Sequence, residues 1–353
     1  MKFSLIVASA FTATTAAAET VRVLNWDQYI DPAVLQEFTE ETGVGVVYDE
    51  YVSSEVTEAA LISGAKEYDL AVVSSEYFGR LLSNGSIIPI ESERLSGREQ
   101  FDHRVTSRFH RIEGAFTYAV PYLWGTTGIG FDANAVAVRM PEAPTDSWAM
   151  IFDPEVVSRF ADCGVSIIDA PEEMLSIALH YLQHDPGTSN PQHLEEAEKL
   201  LAAVAPYIDA FDSEQTSRLA NGEACVAIAW SGDVLVAADQ QQEGIDIRYS
   251  IPKEGAPIWF DVLVMPKNGS KSDGKYKFLN FLLRPDVIAR ITNHVWYPNP
   301  NASATALIDP EILASPAVYP PDEMLDNLFH IPLRNGDEKR ALTRLWRRVK
   351  LTL

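Results

Sequence analysis

Val21-Arg22-Val23-Leu24, Asp31-Pro32-Ala33-Val34-Leu35, Val44-Gly45-Val46-Val47-Tyr48 and Asp69-Leu70-Ala71-Val72-Val73 decide the fold, because they alternate short apolar runs with a helical pattern. Val21 to Leu24 reads as a strand. Asp31 then supplies a helix cap with Pro32 at the first helical position, Val34, Leu35 and Phe38 share one face, and Gly43 ends the helix. Val44 to Tyr48 is the next strand, a second helix covers Ser54 to Ser63 ahead of Gly64, and Asp69 to Val73 is the third strand. Alternation of this kind predicts an α/β fold on a mostly parallel sheet. Such sheets take ligands beyond the carboxyl ends of their strands. Asn25 to Tyr29 follows the first strand and Ser74-Ser75-Glu76 the third, so both land on that edge.

Further along, Gly125-Thr126-Thr127-Gly128-Ile129-Gly130 matches neither a dinucleotide fingerprint nor a phosphate loop, and reads as close packing where the chain crosses between lobes. Helices are expected over Leu194 to Val204, Lys275 to Leu283 and Leu342 to Lys350, and a strand over Ala224 to Trp230. With 353 residues, 46% of them hydrophobic, the chain can build two lobes with separate cores. A short basic start, an apolar run from Leu5 to Phe11 and Ala16-Ala17-Ala18 form a secretory signal peptide over residues 1–18, too short to span a membrane. The mature chain is expected in the periplasm. There the two cysteines, Cys163 and Cys225, are expected to form a disulfide rather than remain two buried thiols. The net charge of −22 excludes nucleic acid as a natural partner.

Three stretches couple a tryptophan to a carboxylate beside an apolar strand: Asn25-Trp26-Asp27-Gln28-Tyr29, Trp230-Ser231-Gly232-Asp233 and Trp259-Phe260-Asp261. One such pair means little, since a strand-end Asp ordinarily caps and a Trp ordinarily packs. Three of them suggest a pocket for a small organic polycation, because an aromatic face attracts an ammonium and a carboxylate takes its charge-assisted hydrogen bonds. Asp169 and Glu172 in Asp169-Ala170-Pro171-Glu172-Glu173 read as a helix cap and a dipole partner, which leaves Glu173 without structural duty. Tyr297 lies in a turn-rich loop as either wall or plug. His180 and His184, four apart on an expected helix, lack the intervening glutamate and third ligand of a zinc site, and read as a solvated face.

These residues carry a resemblance. Asn25-Trp26 with Tyr29, Tyr122-Leu123-Trp124, Cys163-Gly164-Val165-Ser166, Asp169 to Glu173, Trp230 with Gly232-Asp233, Ile251 to Ala256, Phe278 to Val287 and Tyr319-Pro320-Pro321 are similar to bacterial periplasmic polyamine-binding proteins of spermidine/putrescine ABC transporters. The likeness runs over nearly all the mature chain and is greatest to the putrescine-preferring branch, whose paired cysteines match Cys163 and Cys225. The resemblance implies a two-lobed, hinge-closing type II binding-protein fold with ligand in the interlobe cleft. Lobe 1 is expected over 19–127 and 261–306, lobe 2 over 128–260 and 307–353. The implied ligand positions are Trp26, Tyr29, Ser75, Glu173, Trp230, Asp233, Trp259, Asp261 and Tyr297.

The chain departs from the pattern at Asp27 and Gln28, where relatives carry Ser or Thr and then an acid, and at Glu76, where they carry a small residue. Asp27, Gln28 and Glu76 therefore join the expected ligand set, with Glu76 replacing the anion missing at Gln28. Trp259 resembles the spermidine-preferring branch and Ala170 the putrescine-preferring one. The implied partners are a polyamine and an inner-membrane permease, with no cofactor, metal or catalysis, and the chain is expected to be a monomer. The rival reading is a sugar receptor or a secreted glycosidase using the same aromatic and carboxylate pairs.

Overall fold

In the computed structural model, which describes residues 19–51, 54–331 and 333–351, the opening alternation forms β1 (Thr20–Trp26), α1 (Pro32–Thr42), β2 (Gly45–Tyr51), α2 (Ser54–Ser63), β3 (Leu70–Ser74) and α3 (Ser75–Ser83). The leader expected over 1–18 lies outside the described residues. β1 runs between β2 and β3, parallel to both. The Asp31 carboxylate accepts the Ala33 amide at 2.9 Å to start α1, and Gly43 ends it at φ 68°, a left-handed geometry that glycine adopts without a Cβ clash.

The chain continues through β4 (Ile87–Ile88), β5 (Ala119–Asp132), β6 (Val165–Ile168), α4 (Pro171–Tyr181), β7 (Ala210–Asp212), β8 (Val226–Trp230), α5 (Ser231–Gln240), β9 (Ile247–Ser250), β10 (Ile258–Pro266) and α6 (Gly336–Lys350). The strands follow the order β2-β1-β3-β10-β5-β8-β6-β7. β5 joins two sheets: its first half pairs antiparallel with β10, and from Thr127 onward it pairs with β8 and β9. The sheets are thus mixed, parallel within the alternating units and antiparallel where β5 and β10 cross. Beside β5 the chain crosses again at Ala256 to Ile258 and once more at Phe329, joined by Thr127 N to Pro257 O at 3.1 Å and Ile258 N to Phe329 O at 2.9 Å.

Period-two alternation splits the first lobe's core into two faces. Val21, Val23, Leu70, Val72, Leu263 and Met265 pack under α1 and the helices over 274–295, while Leu24, Ala71, Val73, Phe260, Val262 and Val264 pack under α3. Asp261 lies on the same strand face as Trp259 and Leu263, and so faces the interlobe boundary where β10 enters the sheet. The second lobe packs Ile129, Val165, Ile167, Val226 and Ile228 against α4 and α6. The described residues after 306 pack on more than one core. Ile308, Ile312 and Val318 join the first core and Leu325 its other face, while Leu342, Leu345, Trp346 and Val349 enter the second, against which Leu328 and Phe329 also pack.

Two local expectations are corrected. Asp169 does not cap α4, whose cap position is Ala170 with no side-chain bond. A tertiary partner captures the carboxylate instead: Trp346 donates to it at 2.6 Å and Lys350 pairs with it at 2.7 Å, tying α6 to the second lobe. His180 and His184 do not share a helix face. α4 ends at Tyr181 and Gln183 turns with φ 63°, so His180 packs its ring against Phe329 and bonds the Glu254 carbonyl, while His184 pairs with Glu196.

Cys163 and Cys225 form a disulfide, their Cα atoms 5.5 Å apart, across a sequence separation of 62. It ties the start of β6 to the start of β8, away from the cleft-facing ends of both strands. Closing a loop of this size contributes about 4 kcal/mol on the chain-entropy account. Reduction is expected to lower the denaturant midpoint while ligand affinity stays within a few-fold. Loss of binding in folded, reduced protein would place the bridge in the site instead.

Candidate functional site

Asp261, Asp233 and Glu173 converge where the lobes meet, and each is held by an aromatic or hydroxyl donor from another element. Asp261 pairs in register with Ser74 of β3 and Leu123 of β5, next to an irregularity between Asp261 and Val262. It is 4% exposed, and it accepts the Tyr29 hydroxyl at 2.7 Å and the Trp26 indole N–H at 3.3 Å. Glu173, also 4% exposed, is the third residue of α4; it accepts the Trp230 indole N–H at 3.3 Å and the Thr127 hydroxyl. Asp233, third in α5, accepts the Tyr297 hydroxyl at 3.0 Å, a bond that joins the two lobes.

Aromatic rings wall this space. Tyr297 lies 5.4 Å from Tyr29 and 5.3 Å from Trp259 between ring centres, each at 61°, and Trp26 lies 4.4 Å from Tyr51. Two glycines permit the approach. A Cβ on Gly232 would stand 2.2 Å from the Tyr297 ring, and one on Gly125 2.4 Å from the Trp259 indole. Ser75 accepts the Phe260 amide at 3.3 Å and fixes the start of α3 against β10.

Asp27 and Gln28 stand apart from this group. Both are exposed; Gln28 turns with φ 53°, takes Glu50 on its amide at 3.3 Å and bonds Asp27 through its side chain at 3.3 Å. The structure does not bring Gln28 to Glu76. Glu76, half-buried in the first turn of α3, faces Glu173 and Glu172 of α4 and Asp261 of β10.

Burial dominates the electrostatics. It pushes the carboxyls of Asp261 and Asp233 up to about 6 and that of Glu173 to about 7, against the hydrogen bonds that favour their anions. Glu76 is raised well above the carboxylate range, first by burial, then by Glu173, Glu172 and Asp261, with Arg80 opposing. Helix N-termini favour an anion by about 0.3–1 kcal/mol, too little to offset this desolvation. The nearby side-chain cations lie beside other acids, Arg80 with no hydrogen bond to a described residue on either terminal nitrogen. Arg80 bonds Glu58 at 2.7 Å and lies 3.9 Å from Glu172, and Lys339 lies 3.2 Å from Glu172. Hydrogen-bond acceptors in an aromatic frame, short of positive charge, suit an organic cation.

The sequence reading missed Tyr51, Thr127 and Tyr77. Tyr51 ends β2 on the same carboxyl edge as Trp26, so the alternation that located Trp26 points to it too. Thr127 sits mid-strand in a glycine-rich run that signals packing only. Tyr77, behind Glu76, carries Arg80 at 4.3 Å and Lys339 at 4.9 Å over its ring, a contact that no local pattern reveals.

Residues 33–320 match the family model described as bacterial extracellular solute-binding protein. The chain is 40% identical to the putrescine-binding periplasmic protein PotF of Escherichia coli, over 95% of this chain and 93% of that protein. It is 38% identical to the putrescine-binding periplasmic protein SpuD of Pseudomonas aeruginosa, over 96% and 94%. Its structure is similar to the spermidine/putrescine ABC transporter substrate-binding protein PotD of Streptococcus pneumoniae, with TM-score 0.82 and 25% identity over 95% of this chain and 99% of that one.

The raised carboxyls set a pH dependence for the ligand-free chain. Each binds its proton more tightly folded than unfolded, so its stabilising share is complete below about pH 4 and is lost as pH rises through 6 to 7. His330, pushed down to about 4 by burial and by Arg111 and Arg108, acts in the opposite sense over much the same range, losing its stabilising share as pH falls from about 6.5 through 4. Glu173→Gln is therefore expected to melt above the parent at pH 8, with the difference closing by pH 5. A variant that melts below the parent at pH 8 would contradict the desolvation account.

Proposed function

Because the chain belongs to the bacterial extracellular solute-binding proteins, we propose that it is a periplasmic receptor that captures polyamines, putrescine and spermidine among them, and delivers them to an ABC transporter permease. The observation that carries this reading is the trio of desolvated carboxylates, each bonded to an indole, phenol or hydroxyl rather than to a cation. The ammonium groups of the ligand supply the missing charge.

Asp261 holds one ammonium beside Trp26 and Tyr29, and Asp233 and Glu173 hold the other end beside Tyr297 and Trp230. Tyr297 bonds one oxygen of Asp233 and leaves the second for the ligand. Trp259, Tyr297 and Trp26 pack on the methylenes, each buried CH₂ contributing roughly 0.8 kcal/mol, and a cation–π contact adds about 0.5–2 kcal/mol. Ser75 keeps the first turn of α3 at the rim. The moving bodies are 19–127 with 261–306, and 128–260 with the C-terminal helix, while 307–326 rides on the first. Closure about the crossings brings Tyr297 to Asp233, dries the cation and completes the surface that the permease reads.

The chain acts by binding and release rather than by catalysis. A neutral sugar satisfies the aromatic walls but leaves buried anions uncompensated, at a cost of several kcal/mol for each ion. That disfavours both the sugar receptor and the glycosidase. Among the described residues no helix is long and apolar enough to cross a membrane.

A thermal-shift series with putrescine, cadaverine, spermidine, spermine, agmatine and neutral sugars tests the reading. Amines are expected to stabilise the chain by about 2.7 kcal/mol at roughly 100 times Kd, and sugars to do nothing. A shift with sugars and none with any amine would sink the proposal.

Titration calorimetry of two variants separates cleft from rim. Asp261→Asn is expected to cost about 3–5 kcal/mol of binding, as loss of a buried ion-pair partner does, and Asp27→Asn at most about 1 kcal/mol. Equal losses would move Asp27 into the site.

A further inference from the structure

We propose that Glu76 builds a third cationic subsite in the cleft, so that the receptor selects ligands with three or more cationic centres over diamines. The inference rests on the polyamine reading above and specifies the class within it. Glu76 follows Ser74, which pairs with Asp261 across β3 and β10, and Ser75, which holds the Phe260 amide; one turn further along the same helix Arg80 lies 3.9 Å from Glu172, so the first turn of α3 stands between Asp261 and the start of α4. It is not a second ligand for the same ammonium as Gln28, which is exposed and bonds Asp27 through its side chain.

Its bonding differs from that of the other acids. Asp261, Asp233 and Glu173 each accept an O–H or N–H from the protein, whereas no hydrogen bond from another described residue reaches the Glu76 side chain. Arg80, the cation one turn along the same helix, bonds Glu58 through its Nε and lies 3.9 Å from Glu172, its two terminal nitrogens making no hydrogen bond to another described residue. Charge balance then decides. Four carboxyls share the cleft, and a diamine brings two positive charges. A diamine therefore leaves Glu76 either protonated, as burial and its acidic neighbours favour, or ionised beside like charges. A third ammonium lets Glu76 ionise and bonds it directly, through charge-assisted contacts of the stronger kind.

Charge and length are separable experimentally. Spermidine and 1,8-diaminooctane have the same chain length, eight backbone atoms between terminal nitrogens, but differ by the central ammonium. Titration calorimetry at pH 7.5 measures both on the parent and on Glu76→Gln, with putrescine as a third ligand and a ligand-free melt as the folding control. The ratio of spermidine to 1,8-diaminooctane affinity is expected to fall at least tenfold in Glu76→Gln. Glu76→Ala is expected to give the same fall, with neither variant melting below the parent.

A ratio that stays within threefold in both variants overturns the third subsite. Equal losses for spermidine, 1,8-diaminooctane and putrescine overturn it as well, since Glu76 would then serve an ammonium common to all three. A parent that binds none of the amines overturns the polyamine reading itself, and this inference with it.

Discussion

Asp261 and Glu173 are buried and Asp233 half-buried, all three bonded only to neutral donors, and the rest of the structure depends on that arrangement. An isolated buried carboxylate is among the costlier features a fold can hold, and here burial outweighs the hydrogen bonds of Tyr29, Trp26, Tyr297, Thr127 and Trp230. The strain is selective. Neutral solutes cannot relieve it, and a cation relieves it in proportion to how many of the acids it reaches. Affinity and selectivity for charged amines thus have one origin, the desolvation already imposed by the protein.

The architecture explains how so polar a cluster is built in a stable chain. Parallel strands deliver Trp26, Ser75 and Trp230 to the carboxyl edges of their sheets, and the first turns of α3, α4 and α5 then deliver Glu76, Glu173 and Asp233. The antiparallel β10 returns Asp261 to the same place, opposite Ser74. The cost of the acids is borne by two large cores away from the cleft, and the disulfide in the second lobe lies on the far side of that core's strands. Gly125 and Gly232 leave room for Trp259 and Tyr297 where a Cβ would collide with their rings, so the walls approach the main chain closely.

Much of this is legible in the sequence. Capping by Asp31 and Pro32, the stop at Gly43 and the strand at Asp69 to Val73 are local signals, and they placed Trp26, Tyr29 and Ser75 on the right edge. Local signals failed where a distant partner decided the outcome. Asp169 has the sequence of a cap, yet Trp346 and Lys350 claim it from nearly the length of the lobe away. Gln28 adjoins the cluster in sequence, but its backbone turns it toward Glu50 on β2. Thr127 and Tyr77 carry no pattern of their own, and only the crossing of β5 and the approach of α6 bring them to Glu173 and Lys339.

The most direct test of the central claim counts protons. Putrescine binding is measured calorimetrically at pH 6.5 in buffers of different ionisation enthalpy, which separates the proton exchange from the binding heat. Carboxyls raised to about 6 and about 7 are partly protonated there and must ionise to meet an ammonium. The account predicts net release on the order of one proton per ligand, shrinking toward pH 8. Binding heats that are the same in every buffer, or proton uptake, would contradict it.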